Sequence, residues 1–176
     1  YYEKKTVQSR EYFAENLRKC VEMAAKKLVT LSIETMDDPF INSLTKIAHY
    51  KTMIKSPFLQ GYPDLGNISA WPENDVAEEL ENNMADGAAV HLKDTLAVTP
   101  TFKGQFKEVP FGKGCVDFEG CLRLLTRLKY AGSYTIEMWT GTADNAIDEV
   151  KQAKKFFDDL FKKVGIEQEP IASLAQ

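Results

Sequence analysis

The amino-acid sequence predicts an α/β fold with parallel strands. Its 176 residues suffice for one domain, and 44% apolar with 27% charged residues is ordinary for a globular protein. Four short apolar runs alternate with segments whose apolar residues recur every three or four positions. Helices of that length between strands return the chain to the same end of the sheet, so neighbouring strands run parallel.

In the first half of the chain, the sequence pattern predicts two helices, each followed by a strand. The first helix covers residues 6–28, and a strand follows at 29–36. Asn42 and Ser43 can cap a second helix, and a second strand is expected at 58–64. Their predicted inward stripes are Phe13, Leu17, Cys20, Val21, Ala24 and Leu28 in the first helix, and Leu44, Ile47, Ala48 and Ile54 in the second.

The second half repeats this alternation. A helix at 75–84 precedes a strand at 88–94, a long loop at 95–116, a helix capped by Asp117 and a strand at 134–139. A last helix then leads to Gly165, after which the end is expected to fray. The predicted inward residues of the three helices are Val76, Leu80 and Met84; Phe118, Cys121, Leu122, Leu125 and Leu128; and Ile147, Val150, Ala153, Phe157 and Leu160.

Charge and composition exclude several classes of function. A net charge of −4 argues against nucleic acid as a partner, and no apolar run is long enough to span a membrane. The amino terminus lacks the apolar core of a signal peptide, so we expect a soluble, cytoplasmic protein. Cys20, Cys115 and Cys121 are odd in number and lack CxxC spacing, which favours reduced packing residues. Nucleotide-binding and serine-hydrolase motifs are missing from the sequence.

A chemically reactive residue lies at the end of each predicted strand: Glu34, Asp64, His91 and Glu137. The carboxyl ends of parallel strands form the ligand-binding side of such folds, so these residues should converge. Strand alternation places Glu34, His91 and Glu137 on one face. Three carboxylates and an imidazole facing one cavity would repel and raise one another's pKa unless a cation were present, and the set suits Mn²⁺, Mg²⁺ or Zn²⁺. Individually, each residue could instead be a lysine partner, a turn cap or a core histidine.

Two further features have ordinary interpretations as well as functional ones. His49 falls within the second helix, where a surface or helix-packing role is expected. The turn Phe111-Gly112-Lys113-Gly114 could wrap an anion with its backbone amides, or could be only a turn.

Five motifs together resemble the L-ribulose/L-xylulose 5-phosphate 3-epimerases of L-ascorbate breakdown, which are xylose isomerase-like TIM barrels. The motifs are Ile33-Glu34-x-Met36-Asp37, Tyr62-Pro63-Asp64-x-Gly66-Asn67-x-Ser69-Ala70-Trp71, Val90-His91-x-Lys93-Asp94-Thr95, Val109-Pro110-Phe111-Gly112-x-Gly114-x-Val116-Asp117-Phe118 and Ile136-Glu137-Met138-Trp139. The resemblance implies a (β/α)8 barrel, of which residues 1–166 supply the last four βα units, followed by a tail at 167–176. With no initiating Met, the chain is expected to be part of something longer.

The resemblance also implies roles for individual residues. Glu34, Asp64, His91 and Glu137 would bind the metal, and Glu34 and Glu137 would form the acid/base pair. Epimerisation next to a ketone through an ene-diolate needs two such bases and a Lewis acid. Asn67 is expected to contact a substrate hydroxyl, and Lys93, Gly112, Lys113 and Gly114 are expected to bind the phosphate.

Two other functions stay open at this point. One is aldose-ketose isomerisation of a hexulose 6-phosphate, and the other is a catalytically incompetent sugar-phosphate-binding fragment. An open half barrel exposes two sheet edges, so we expect a missing amino-terminal half or a second copy of the chain to cover them.

Overall fold

The computed structural model describes residues 4–139 and 144–168 and confirms the α/β class. Strands β1 to β4 each contain four residues and alternate with the helices along most of the chain. In chain order the elements are α1 Val7–Ala25, β1 Leu31–Glu34, α2 Leu44–Ile54, β2 Leu59–Tyr62, α3 Leu65–Ser69, α4 Val76–Asn83, a 3-10 turn Met84–Asp86, β3 Ala89–Leu92, α5 Phe118–Arg127, β4 Ser133–Ile136 and α6 Ala146–Val164.

All the strand pairing between these elements is parallel. β1 pairs with β2, with Glu34 opposite Tyr62, and β3 pairs with β4, with His91 opposite Thr135. Two parallel bridges, Gly61 to Gly87 and Asp64 to His91, join the two pairs. The four strands therefore lie side by side in chain order, which brings their carboxyl ends to one edge.

Short polar side chains set the beginnings of the helices, as predicted. Ser43 accepts a hydrogen bond from the amide of Lys46, and Asp117 accepts one from the amide of Gly120. These bonds satisfy amide groups that have no partner inside a helix. Asn42 does not cap α2, because its Oδ1 accepts a hydrogen bond from the Lys46 ammonium group while its side-chain NH2 donates to Glu73.

The hydrophobic core lies between the sheet and the helices that cover one face of it. Val90 and Leu92 of β3 are fully buried, as are Leu122 and Leu125 of α5. Phe157 of α6 adds aromatic contacts to Phe111 and Phe118 of the adjoining loop and helix. The alternate residues of the strands are left to face the opposite side, which is the side of the predicted site.

Several predicted burial assignments are wrong, and the helix ends explain some of them. Leu28 is 82% exposed because α1 ends at Ala25 and Leu28 adopts a left-handed conformation beyond it. Leu128 likewise lies outside α5 as its C-cap residue. Ile147 and Val150 are exposed, because the buried face of α6 is formed by Ala153, Phe157 and Phe161.

The cysteine interpretation is only partly correct. Cys121 is buried, but Cys20 and Cys115 are exposed. The stripe containing Cys20 buries only Val21 among the described residues of α1. Helical periodicity therefore predicted the position of α1, but it did not predict how much of the apolar face of α1 is covered.

The structure also differs from the sequence analysis in the turn after β2. The five-residue helix α3 was not predicted, because it is too short to show a helical period. At the other end of the chain, Gly165 terminates α6 in a left-handed conformation. Of the expected tail, 169–176 lie outside the described residues. Across 4–139 and 144–168, no helix combines the length and apolar character needed to cross a membrane.

Candidate metal centre

The four predicted ligands meet at the carboxyl ends of the strands. Glu34 is the last residue of β1, His91 lies within β3, and Glu137 directly follows β4. Asp64 follows β2 and caps α3. One ligand atom from each of Glu34, Asp64, His91 and Glu137 lies within 4.8 Å of all the others. Residues 103 positions apart in sequence (137 − 34) thus share one site.

His91 occupies the middle of this cluster. Its Nδ1 atom lies 2.7 Å from Glu34 Oε1 and 3.0 Å from Glu137 Oε2. The same atom is 3.9 Å from Asp64 Oδ2. A single imidazole nitrogen therefore faces carboxylates contributed by three different strands.

The local backbone fixes Asp64 more firmly than the other ligands. Its side chain is fully buried, and Oδ1 accepts a 2.6 Å hydrogen bond from the amide of Asn67. The Thr35 hydroxyl accepts a bond from the amide of Asp64, which holds the start of α3 against the end of β1. These contacts leave Oδ2 pointing into the cluster with no hydrogen bond.

The cluster shifts the protonation of its own members. Burial raises the pKa of Asp64, although the positive charge of Lys93 opposes this rise. Burial also opposes the charged form of His91, but the carboxylates of Glu137 and Glu34 outweigh it and raise the pKa of His91 to about 9. For Glu137, burial is outweighed by the hydrogen bond to His91 and the charge of Lys93, so its pKa is lowered.

The residues present fit a divalent cation. The carboxylate oxygen Asp64 Oδ2 is buried without a hydrogen bond and lies 3.3 Å from the Lys93 ammonium group, and a buried carboxylate oxygen of this kind is costly unless a positive charge faces it. Three carboxylates and one imidazole form a donor set that suits Mn²⁺, Mg²⁺ or Zn²⁺. The predicted metal ligands are thus brought together in one place with free donor atoms.

Lys93, one of the residues expected to bind the phosphate, lies at this centre. Its ammonium group is 3.3 Å from Asp64 Oδ2 and 3.4 Å from Glu137 Oε1. The residue is only 5% exposed. Its position could have been predicted, because Lys93 follows His91 by two residues and so lies on the same face of an extended chain.

The turn that was expected to bind an anion, Phe111-Gly112-Lys113-Gly114, binds the side-chain carboxylate of Asp94. The amides of Gly112 and Gly114 donate to Asp94 Oδ2 at 2.8 and 2.9 Å, and the amide of Lys113 donates to the carbonyl of Pro110. Asp94 is 2% exposed. The expectation that the amides of Gly112 and Gly114 bind a substrate phosphate is therefore wrong in this structure, because Asp94 already uses them.

Asn67, the expected contact for a substrate hydroxyl, also makes a hydrogen bond within the fold. It is 2% exposed, and its side-chain amide donates to the carbonyl of Thr35 at 2.7 Å. This bond ties α3 to β1, whereas Asn67 Oδ1 is buried without a hydrogen bond, so the contact of Asn67 with a substrate hydroxyl stays a prediction. His49 is exposed on α2, as expected for a residue outside the site.

A cavity of about 610 Å³ opens beside Lys93 and Glu137. Phe106, Phe111 and Trp139 line its walls. The ring of Trp139 lies 5.4 Å from the Lys93 ammonium group. Trp139 was not predicted as a site residue, although its spacing of two residues from Glu137 is a usable signal for a shared face. The cavity provides space for a small molecule next to the cluster.

Comparison with known proteins identifies the family. The family model described as "Xylose isomerase-like TIM barrel" matches residues 1–160. The chain belongs to the xylose isomerase-like TIM barrel family. The protein named putative L-ribulose-5-phosphate 3-epimerase SgbU, from Haemophilus influenzae, is 44% identical to this chain. The match covers 94% of this chain and 58% of SgbU. L-ribulose-5-phosphate 3-epimerase UlaE of Shigella boydii is 42% identical over 94% of this chain and 56% of its own length.

A solved structure of this barrel family agrees with the fold. A xylose isomerase domain protein from Planctomyces limnophilus superimposes with a TM-score of 0.73 at 20% identity, covering 94% of this chain and 56% of that protein. The chain thus spans a little over half the length of the relatives it matches. Its four parallel βα units correspond to part of a barrel, as the resemblance implied.

Proposed function

We propose that this xylose isomerase-like chain forms part of a metal-dependent 3-epimerase that interconverts L-ribulose 5-phosphate and L-xylulose 5-phosphate. The observation that carries the proposal is the placement of two glutamates, Glu34 from β1 and Glu137 after β4, in one ligand cluster, where their carboxylate oxygens lie 2.7 and 3.0 Å from His91 Nδ1. The similarity to the UlaE epimerase supports the choice of substrate.

The two glutamates would move the proton at carbon 3 of the sugar. Inversion requires one carboxylate to remove this proton and the other to return a proton to the opposite face. Glu137 suits the first role in one direction, because its lowered pKa keeps it ionised at neutral pH. In the reverse direction, Glu34 and Glu137 exchange roles.

The other residues of the cluster would hold this pair in place. The ammonium group of Lys93 faces Glu137 and limits the build-up of negative charge beside it. Asp64 and His91 complete the set that would hold the cation. A divalent cation bound by Glu34, Asp64, His91 and Glu137 would supply a Lewis acid that polarises the substrate carbonyl.

The remaining substrate contacts concern the sugar carbon chain and the phosphate. The cavity beside Lys93 and Trp139 provides room for the sugar carbon chain. Of the residues expected to bind the phosphate, the exposed side chain of Lys113 stays a prediction. The engaged amides of Gly112 and Gly114 are no longer part of the proposal.

The open sides of the sheet imply further protein around the site. In the described residues, β1 pairs only with β2 and β4 pairs only with β3, so each has an unpaired edge. We infer that the remaining barrel units or a second copy of the chain cover these edges. The free thiols of Cys20, Cys115 and Cys121 fit our expectation of a cytoplasmic location.

Hydrogen exchange at carbon 3 tests the reaction directly. The chain is incubated in D2O with Mn²⁺ or Zn²⁺ and either pentulose phosphate, and deuterium at each carbon is followed by NMR. We expect incorporation at carbon 3, with Glu34→Gln blocking exchange from one epimer and Glu137→Gln blocking it from the other. Glu81→Gln, an exposed glutamate paired with Arg127, is the control.

Other patterns of exchange would count against the proposal. Deuterium at carbon 1 with formation of an aldose would indicate aldose-ketose isomerisation. Exchange that survives both substitutions would exclude the two-glutamate mechanism. Exchange that appears only when the chain is joined to the amino-terminal part of a relative would show that the activity needs the rest of the barrel.

A further inference from the structure

Tyr62 lies against the imidazole of His91 on the inner face of the sheet. Tyr62 is the last residue of β2 and is paired with Glu34, so the two side chains share a face. The ring centroids of Tyr62 and His91 are 4.2 Å apart, with an interplanar angle of 45°. This contact places an aromatic wall directly beside the histidine of the candidate metal centre.

The Tyr62 side chain is itself fixed at its far end. Its hydroxyl donates to Thr135 Oγ1 at 3.0 Å. Thr135 belongs to β4 and is the strand partner of His91. Tyr62 therefore reaches from β2 across β3 to β4 and passes over the imidazole on the way.

This arrangement matters because the other contacts of His91 involve the ligands themselves. The Nδ1 atom faces Glu34 and Glu137, whose oxygens must turn toward a cation when one binds. The Tyr62 contact involves none of the cation's ligand atoms. It can keep the imidazole plane fixed while the carboxylates rearrange, as groups around metal ligands commonly do.

We propose that Tyr62 is a positioning residue that fixes the imidazole of His91 for metal binding, with Thr135 as the anchor of its hydroxyl. This inference rests on the metal site proposed above. Loss of the ring frees the imidazole to rotate, and loss of the hydroxyl bond loosens the ring. The two effects differ in size, so they can be separated by substitution.

Metal titration of the 176-residue chain tests the proposal. Co²⁺ binding is followed by visible absorption in Tyr62→Leu, which removes the ring, and in Tyr62→Phe and Thr135→Val, which remove only the hydroxyl bond. We expect Co²⁺ affinity about 10- to 100-fold weaker and an altered spectrum for Tyr62→Leu. Tyr62→Phe should retain the wild-type spectrum with a smaller loss, about threefold, matched by Thr135→Val.

A second phenol in the same sheet provides the control. Tyr134 of β4 has a buried hydroxyl with no hydrogen bond, and its ring packs against Tyr130 and Phe161. Tyr134→Phe should leave Co²⁺ affinity and spectrum unchanged. Thermal unfolding of each metal-free variant separates a loss of folding from a loss of positioning, and the milder variants serve if Tyr62→Leu does not fold.

The outcomes distinguish the positioning role from the metal site itself. If wild type and folded variants of Tyr62 and Thr135 bind Co²⁺ with the same affinity and spectrum, the positioning role is overturned while the metal site stands. If wild type binds no cation, the proposed function fails, and NMR of the His91 ring in the metal-free chain then decides the positioning role. The positioning role is supported if the His91 imidazole has a single orientation in wild type and loses it in Tyr62→Leu, with exposed His49 as the internal reference. The positioning role is overturned if the orientation of the His91 imidazole is the same in both proteins.

Discussion

Binding of a divalent metal to this chain should release at least one proton at neutral pH. In the metal-free structure, burial is outweighed by Glu137 and Glu34, and the pKa of His91 is raised to about 9. At about pH 7.5, nearly every His91 therefore carries a proton, whereas a metal ligand must be a neutral imidazole. Burial also raises the pKa of Asp64, so its proton adds a second contribution. The lowered pKa of Glu137 means that this ligand contributes none.

The magnitude follows from the linkage between proton and metal binding. Displacing one proton makes the apparent affinity rise about tenfold per pH unit below the pKa of the protonated ligand. Between about pH 6.5 and 8.5 the affinity should therefore increase at least 100-fold. This corresponds to about 1.4 kcal/mol for each tenfold step.

Calorimetry measures this release directly. Mn²⁺ is titrated into the chain at about pH 7.5 in buffers of different ionisation enthalpy, and the slope of the observed heat gives the number of protons released. We expect between one and two protons to be released for each Mn²⁺ bound. His49→Gln should give the same slope, because His49 is exposed on α2 outside the cluster. A slope near zero, or an affinity that does not change with pH, would refute the assigned protonation of His91.

Two further predictions concern the stability of the metal-free chain. Asp94→Ala should lower the free energy of unfolding in urea by about 3 kcal/mol, because partly buried amides lose bonds to a charged acceptor. The exposed helix cap Asp117→Ala should cost about 1 kcal/mol, and equal losses would contradict the role assigned to Asp94. Separately, stability should fall as pH rises from about 6.5 through about 9, because the raised pKa of His91 favours its protonated, folded form. A thermal unfolding midpoint that is flat or rising over this range would exclude that contribution.

The sequence alone was sufficient for the order of the strands and the longer helices and for grouping the four candidate metal ligands. Alternating apolar patterns place helices and strands, and the carboxyl ends of parallel strands must meet at one edge. Glu34, Asp64, His91 and Glu137 could therefore be grouped without knowing the distances between them. Ser43 and Asp117 could be predicted as caps because capping depends on local sequence.

The remaining details depend on contacts between distant segments. The exposure of Cys20 depends on what covers α1, which the period of one helix does not encode. The ring contact of Tyr62 with His91 depends on the register between β2 and β3. The bond of Asn67 to the carbonyl of Thr35 likewise depends on how α3 packs against β1.

Asp94 explains why the glycine turn was misinterpreted. A carboxylate buried at the end of β3 needs donors, and the amides of Gly112 and Gly114 supply them. A Cβ atom on Gly114 would lie 2.0 Å from Asp94 Oδ1, so this glycine is required for the close approach of the loop. Since Phe111 in the same turn lines the cavity, Asp94 links the strand that carries His91 to the cavity wall. Gly112 and Gly114 thus serve the shape of the cavity, because their amides bind Asp94 and bring the loop against β3.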